Sequence, residues 1–270
     1  MDTDTLGRRS RFKRTNTSKN IITTDRDIEI LRWLYRYRYL RTPQLISFLQ
    51  PKSKKRFIER LGDLFHETGL IDRPKAQWRH FDSRCTPMIY ELSAKGQSFL
   101  ESRNQLSQRA TTLSRRKRTG TTIQLDHAMM IVDALVEIEL TTIAKPDQRF
   151  VGVDEILARA PVTTTSAPNP LSVPVTIQPS AAFPDIKSPW DTHIIPDALY
   201  GIEYLIDGDK RYRFWALECE NTSPRYRATA KMTSLVRKHA AYDALIKSGG
   251  YKKHWGIPNL KLKVVTQSEN

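Results

Sequence analysis

Apolar side chains recur at helical spacing in three successive segments near the start of the chain. The first is typified by Ile28, Leu31 and Leu34, and it predicts a helix that begins at about Asp25. Thr42-Pro43 is a typical helix start and predicts a second, short helix. A third apolar stripe lies between residues 57 and 65. Ser53 can cap this helix, and Gly69 can adopt the left-handed conformation that ends it.

A hairpin is predicted directly after the third helix. Residues 70–73 and 88–92 have the short β-branched and aromatic pattern of strands, and the segment between them is basic and partly aromatic. A further helix is predicted from Ser93. The order of three helices, a hairpin and a closing helix is typical of a winged helix-turn-helix, which we place at residues 23–102. The hairpin loop would be the wing.

The second half of the chain predicts a mixed sheet flanked by helices. The apolar spacing over 125–140 indicates a helix, and 198–206 and 212–220 indicate strands around an Asp207-Gly208-Asp209 turn. A long basic helix over 225–247 and a final strand over 260–266 complete the order. The fold class is therefore α+β, with two domains at 23–102 and 123–270.

Three segments lack these periodicities. Residues 1–22 are polar and basic and predict a disordered arm, which is either a solubilising tail or an arm that follows DNA. Residues 103–122 predict a basic linker. Residues 157–195 are rich in Pro, Thr and Ser and predict an irregular insertion within the second domain.

The net charge indicates which class of binding partner to expect. Lys and Arg number 44 against 29 Asp and Glu, giving a net charge of +15, and this excess favours nucleic acid. No apolar run is long enough to cross a bilayer, and no secretory signal is evident, so we expect no membrane partner. Cys85 and Cys219 are the only cysteines, which argues against a disulfide framework and favours a cytoplasmic location.

Ten residues are candidates for binding double-stranded DNA. They gather at the start of the third helix, which would enter the major groove, and in the wing, which would contact the backbone or minor groove. The helix candidates are Lys52, Ser53, Lys54, Lys55, Arg56 and Arg60, and the wing candidates are Arg73, Lys75, Arg79 and Arg84.

Three carboxylates form a candidate metal site in the second domain. Side chains alternate along a strand, so Glu218 and Glu220 project from one face, and the predicted hairpin can bring Asp197 beside them. Carboxylate oxygens are the ligands that Mg²⁺ prefers, and a metal so held could activate water against a phosphodiester. The alternative is that the acidic side chains simply face water or pair with Arg225 and Arg227.

The same segment resembles the PD-(D/E)xK nuclease core. The resemblance rests on Pro196-Asp197, on Glu218-Cys219-Glu220, and on the basic helix that follows. It implies a restriction-endonuclease-like domain with Asp197, Glu218 and Glu220 as catalytic residues. Glu220 stands where that core usually carries a lysine, and Lys231 is the candidate replacement.

The chain from about residue 25 to residue 242 also resembles the replication-relaxation family of mobile genetic elements. The matching motifs are residues 25–34, Leu125-Asp126-His127, Ile195-Pro196-Asp197-Ala198, residues 217–222, and Lys231 followed by Tyr242. This resemblance implies a DNA-handling protein that acts in plasmid replication, relaxation or mobilisation, at the nucleoid or on a plasmid in a bacterial cytoplasm.

Three functions remain open from sequence. The resemblance and the charge favour a protein whose main role is to bind DNA and not to catalyse a reaction. The alternatives are a Mg²⁺-dependent endonuclease targeted by its winged helix, and a transcriptional regulator or protein-interaction scaffold. A homodimer and partners among replication or mobilisation proteins are compatible with each.

Overall fold

The computed structural model describes residues 9–80, 86–104, 122–184, 186–220 and 235–266, with the backbone alone at 79–80, 122–123 and 235–236. Two compact units divide the chain, Met1–Val136 (unit 1) and Glu137–Asn270 (unit 2). The division falls inside a long helix, whereas the sequence predicts a linker at 103–122 and a second domain from residue 123. No helix in these ranges is long and apolar enough to span a membrane.

Unit 1 consists of helices around a small antiparallel sheet of order β1-β3-β2. A π-helical turn, Leu64–Thr68, continues the third helix, α3 (Lys54–Asp63), and a 3₁₀ helix, Lys75–His80, follows the strand β2 (Ile71–Asp72). The elements are α1 (Asp25–Tyr37), β1 (Tyr39–Arg41), α2 (Thr42–Leu49), α3 (Lys54–Asp63), β2 (Ile71–Asp72), β3 (Ile89–Leu92), α4 (Ala94–Glu101) and the first part of α5 (Thr122–Ile143), which continues into unit 2 after Val136.

Local capping explains where the helices of unit 1 begin and end. Thr24 and Asp27 form a reciprocal capping box at the start of α1. The hydroxyl of Ser53 accepts a hydrogen bond from the Arg56 backbone N–H at 3.3 Å and so caps α3, as predicted. Gly69, with φ +66°, ends the π-helical turn, which confirms its predicted left-handed conformation.

Unit 2 is built on a four-stranded sheet of order β4-β7-β8-β9, in which only the β8–β9 pairing is parallel. The predicted hairpin is confirmed, since Asp207 and Gly208 both have positive φ between β7 and β8. The elements are β4 (Gln148–Val151), α6 (Val153–Ala158), α7 (Val162–Thr165), β5 (Val173–Ile177), β6 (Trp190–Ile194), β7 (Ala198–Ile206), β8 (Asp209–Glu220), α8 (Leu235–Ser248), α9 (Gly250–Trp255) and β9 (Lys261–Thr266).

The segment expected to be an irregular insertion contains regular structure. Strands β5 and β6 pair antiparallel over five residues each. Alternate side chains of β5, Val173, Val175 and Ile177, are buried in the core that also holds Tyr242 and Trp255. The prolines obscured this alternation in the sequence, but a two-stranded ribbon tolerates proline because each strand has a free edge. The overall fold is α+β, as the sequence predicts.

Candidate nucleic-acid interface and carboxylate cluster

The start of α3 presents an exposed cationic group. The side chains of Lys52, Lys54, Lys55 and Arg56 are all exposed, and the first turn of the helix contains no acidic residue. Within the described ranges, none of these four side chains forms an ion pair. We refer to these four residues as the α3 cations. They surround the N-cap Ser53, which is also exposed.

Arg60, a further candidate of the same helix, has a different role. Its guanidinium donates to both carboxylate oxygens of Asp27, at 2.9 and 2.5 Å, and to the Ile22 carbonyl at 2.6 Å. Asp27 is only 1% exposed. Burial acts to raise the pKa of Asp27, but hydrogen bonds from Arg60 and Thr24 outweigh it and lower that pKa. Arg60 thus ties α3 to α1, and its role as a DNA contact stays a prediction.

Arg73 is also packed into unit 1 rather than extended from the predicted wing. Its guanidinium lies 4.1 Å from the ring centre of Phe65 and 5.4 Å from that of Tyr90. Burial lowers its pKa. Among the other wing candidates, Lys75 is exposed. The Arg79 side chain and Arg84 lie outside the described part of the chain.

Residues 9–19 of the arm expected to be disordered make specific contacts with unit 1. Arg9 pairs with Asp63 at 3.2 Å and with Glu67 at 2.7 Å, and Lys19 pairs with Asp63 at 2.6 Å. The Thr17 backbone and hydroxyl both donate to Glu67. Acidic residues at the end of α3 therefore hold basic residues of the arm, a pairing between distant segments that local composition does not reveal. Residues 1–8 lie outside the described ranges.

The carboxylate cluster of unit 2 contains a lysine that was not predicted from the sequence. The Lys238 ammonium, on α8, lies 2.5 Å from Glu218 Oε2 and 2.8 Å from Glu220 Oε1, and so bridges the two carboxylates of β8. The Tyr242 hydroxyl donates to Glu218 Oε1. Lys238 and Tyr242 are four residues apart on a helix and therefore share a face. The four-residue spacing of Lys238 and Tyr242 was the feature of the sequence that could have indicated this cluster.

Asp197 lies beside this cluster. Its Oδ2 accepts a hydrogen bond from the Cys219 backbone N–H at 2.9 Å, which holds the carboxylate against the strand between Glu218 and Glu220. A hydrogen bond from the backbone of β8 therefore holds Asp197 beside that strand, as the predicted hairpin implied. Lys231, the fourth catalytic candidate, lies outside the described ranges.

Burial and charge perturb the titration of the cluster. Burial raises the pKa of Glu218 to about 7, and Asp197 adds to the rise while Lys238 opposes it. Burial also raises the pKa of the Cys219 thiol to about 12. For Lys238, burial acts to lower the pKa, but the attraction of Glu218 outweighs it and the pKa is raised. Glu218 and Lys238 therefore form an electrostatically coupled pair in a largely desolvated environment.

The arrangement does not fit a Mg²⁺ site of Asp197, Glu218 and Glu220. Within the described ranges, no three or more His, Cys, Asp or Glu side chains are grouped so that they could hold a metal ion. The positive charge between the two glutamates is the ammonium of Lys238. A divalent cation there would meet a like charge, and one Glu218 oxygen is already engaged by Tyr242. Direct coordination of a divalent cation by Glu218 and Glu220 would require Lys238 to move.

Comparison with known proteins gives one match. A family model described as Replication-relaxation matches residues 31–260, which includes most of both units. No curated protein and no solved structure matches the chain.

Proposed function

Because the chain belongs to the Replication-relaxation family, we propose that it binds the double-stranded DNA of a plasmid or other mobile element through unit 1. Its action would be in replication, in relaxation or mobilisation, or in their regulation. Unit 1 is then a winged helix-turn-helix, and α3 is its recognition helix.

The observation that carries this proposal is the position of the α3 cations. They surround the N-terminal end of a helix, where the macrodipole is positive and each nearby cation costs about 0.3–1 kcal/mol. Since no acidic side chain in the described ranges pairs with them, no ion pair in those ranges offsets this unfavourable interaction with the macrodipole. DNA phosphates at that position would offset it, because a helix N-terminus also offers free backbone N–H groups to anions.

The opposite face of α3 gives the proposed contact a rigid base. Phe57 and Leu61 are buried in the core, and the pair of Arg60 with Asp27 fixes the helix to α1. Exposed cations on a fixed helix lose less conformational freedom on binding than cations on a mobile segment. The hairpin of β2 and β3 would place Lys75 against the DNA backbone.

Binding to a labelled duplex at several salt concentrations tests the proposal. We expect the logarithm of the affinity to fall linearly with the logarithm of salt. Reversing Lys54, Lys55 and Arg56 to Glu should weaken binding about 100-fold or more and reduce the salt slope by about 3. The matched control reverses Lys145, Lys253 and Lys261, which are exposed and carry the same charge change. Equal losses in both triple variants would reject α3 as the contact.

A Mg²⁺-dependent nuclease is the second candidate. It is favoured by the convergence of Asp197 with the buried Glu218, and it is opposed by the position of Lys238. A bound metal would supply an activated water, but the residues present do not fit such a metal. Incubation of supercoiled plasmid with Mg²⁺ or Mn²⁺ tests this candidate. Nicking that is lost in Glu218→Ala would support it, whereas undiminished or absent nicking would reject it.

A further inference from the structure

An aromatic pair joins the arm to the segment after β2. The ring centres of Phe12 and Trp78 lie 5.2 Å apart with their planes tilted by 47°. Trp78 is 52% exposed, although a large aromatic side chain normally gains more by burial. Exposed cations of the same two segments include Arg11, Lys13 and Lys75. We call Arg11, Phe12, Lys13, Lys75 and Trp78 the arm–wing surface.

Hydrogen bonds to unit 1 fix the backbone that carries this surface. Arg73 donates to the Arg11 carbonyl at 2.5 Å, and its own guanidinium is held over the Phe65 ring. Arg14 donates to the carbonyls of Phe65 and Ile71, each at 3.0 Å. The residues on either side of Phe12 are therefore anchored. A preorganised aromatic pair loses little freedom when it binds a flat ligand.

The local charge favours an anionic ligand. Burial is the main cause of the lowered pKa of Arg73; Tyr90 opposes it, and repulsion from Arg9 and Arg11, two further cations close to Arg73, adds to the lowering. Exposed cations around an exposed aromatic face are the combination with which proteins bind unpaired nucleotides: the rings stack on bases while the cations attract phosphates.

We propose that the arm–wing surface binds an unpaired base of DNA next to the duplex held by α3, with the base stacked on Trp78. This rests on the proposed function of unit 1. An already unpaired base is the favoured ligand because insertion of Trp78 between paired bases would first have to unstack them. The cations Arg11, Lys13 and Lys75 would contact the phosphates on either side of that base.

The test compares two DNA substrates by fluorescence anisotropy: a continuous duplex, and the same duplex with a short single-stranded extension. We expect the protein to bind the extended substrate more tightly, by roughly 5- to 100-fold. Trp78→Leu keeps an apolar side chain but removes the aromatic face, and it should abolish most of that gain. Trp78→Phe should retain most of it. Neither variant should change affinity for the continuous duplex by more than about twofold.

Ile22→Ala is the matched control, because Ile22 is an exposed apolar residue outside the arm–wing surface. Thermal unfolding of each variant verifies that the fold is retained. No preference for the extended substrate, or an equal loss on both substrates in Trp78→Leu, would overturn the inference. The proposed function fails separately, if the unaltered protein does not bind the continuous duplex in a salt-dependent manner.

Discussion

The ammonium of Lys238 lies 2.5 Å from Glu218 Oε2, in a site where Glu218 is only 1% exposed. Lys238 also contacts Glu220, so one cation from α8 serves two carboxylates of β8. Burial of a charged carboxylate costs free energy unless the carboxylate is protonated or paired with a cation. Both compensations operate here, because the pKa of Glu218 is raised and the Lys238 ammonium is adjacent. The cluster joins helix and sheet while leaving Glu218 poised to titrate near neutral pH.

The first prediction concerns the pH dependence of stability. The pKa of Glu218 is about 7 in the folded protein and about 4.3 in an unfolded chain, so the folded state binds the extra proton between these values. The contribution of Glu218 is therefore full below pH ~4 and is lost as pH rises through ~7. Measured by urea unfolding, the stability of the protein relative to Glu218→Gln should fall by roughly 3 kcal/mol across this window. A difference that is constant with pH would contradict the raised pKa.

The second prediction distinguishes the structural cation of α3 from those that we propose to bind DNA. Arg60→Met leaves the buried Asp27 without its counter-ion and should destabilise the protein by about 2 kcal/mol, less than for a fully buried pair because Arg60 is partly exposed. Arg56→Met should change stability by no more than about 0.5 kcal/mol. In contrast, Arg56→Met should weaken DNA binding. Chemical unfolding measures the first pair of effects, and equal destabilisation by both variants would contradict this division.

These two arginines show what the sequence could and could not reveal. Helix ends depend on residues close in sequence, so the roles of Ser53 and Gly69 followed from local rules. Whether a cation on a helix faces DNA or a buried carboxylate depends on its tertiary partner. Asp27 is 33 residues before Arg60. The amphipathic pattern alone could not separate Arg60 from Arg56.

The same limit explains the carboxylate cluster. Strand alternation correctly placed Glu218 and Glu220 on one face, because both belong to a single element. Lys238 is on another element, and no propensity rule links it to β8. Its partnership is fixed only by the packing of α8 against the sheet, which also buries Tyr242. The spacing of these carboxylates predicted a metal site, and the structure places the Lys238 ammonium between Glu218 and Glu220.

The third prediction tests a close approach within unit 1. A Cβ atom at Gly96 would lie 2.1 Å from the Leu70 carbonyl oxygen and 2.6 Å from a methyl carbon of Leu92. Gly96→Ala should therefore lower the free energy of unfolding by roughly 1–3 kcal/mol through overpacking, although alanine favours helices. Gly62→Ala, also in a helix, is the control, because the nearest atom to its added Cβ is 3.5 Å away on the Arg9 side chain. A stabilised Gly96→Ala protein would show that α4 can shift away from Leu70.

The last prediction tests whether the Lys238 ammonium occupies the position of a cation. Lys238→Met removes that charge while keeping an unbranched side chain, so Glu218 and Glu220 are left facing each other without a counter-ion. In the unaltered protein, millimolar Mg²⁺ or Mn²⁺ should leave the melting temperature unchanged. In Lys238→Met, the same ions should stabilise the fold, by about 1.4 kcal/mol when the metal concentration is tenfold above its dissociation constant. Lys247→Met is the control, since Lys247 pairs with Asp243 elsewhere on α8. Equal stabilisation of all three proteins by metal would mean that the divalent ion binds elsewhere and that Lys238 does not exclude it.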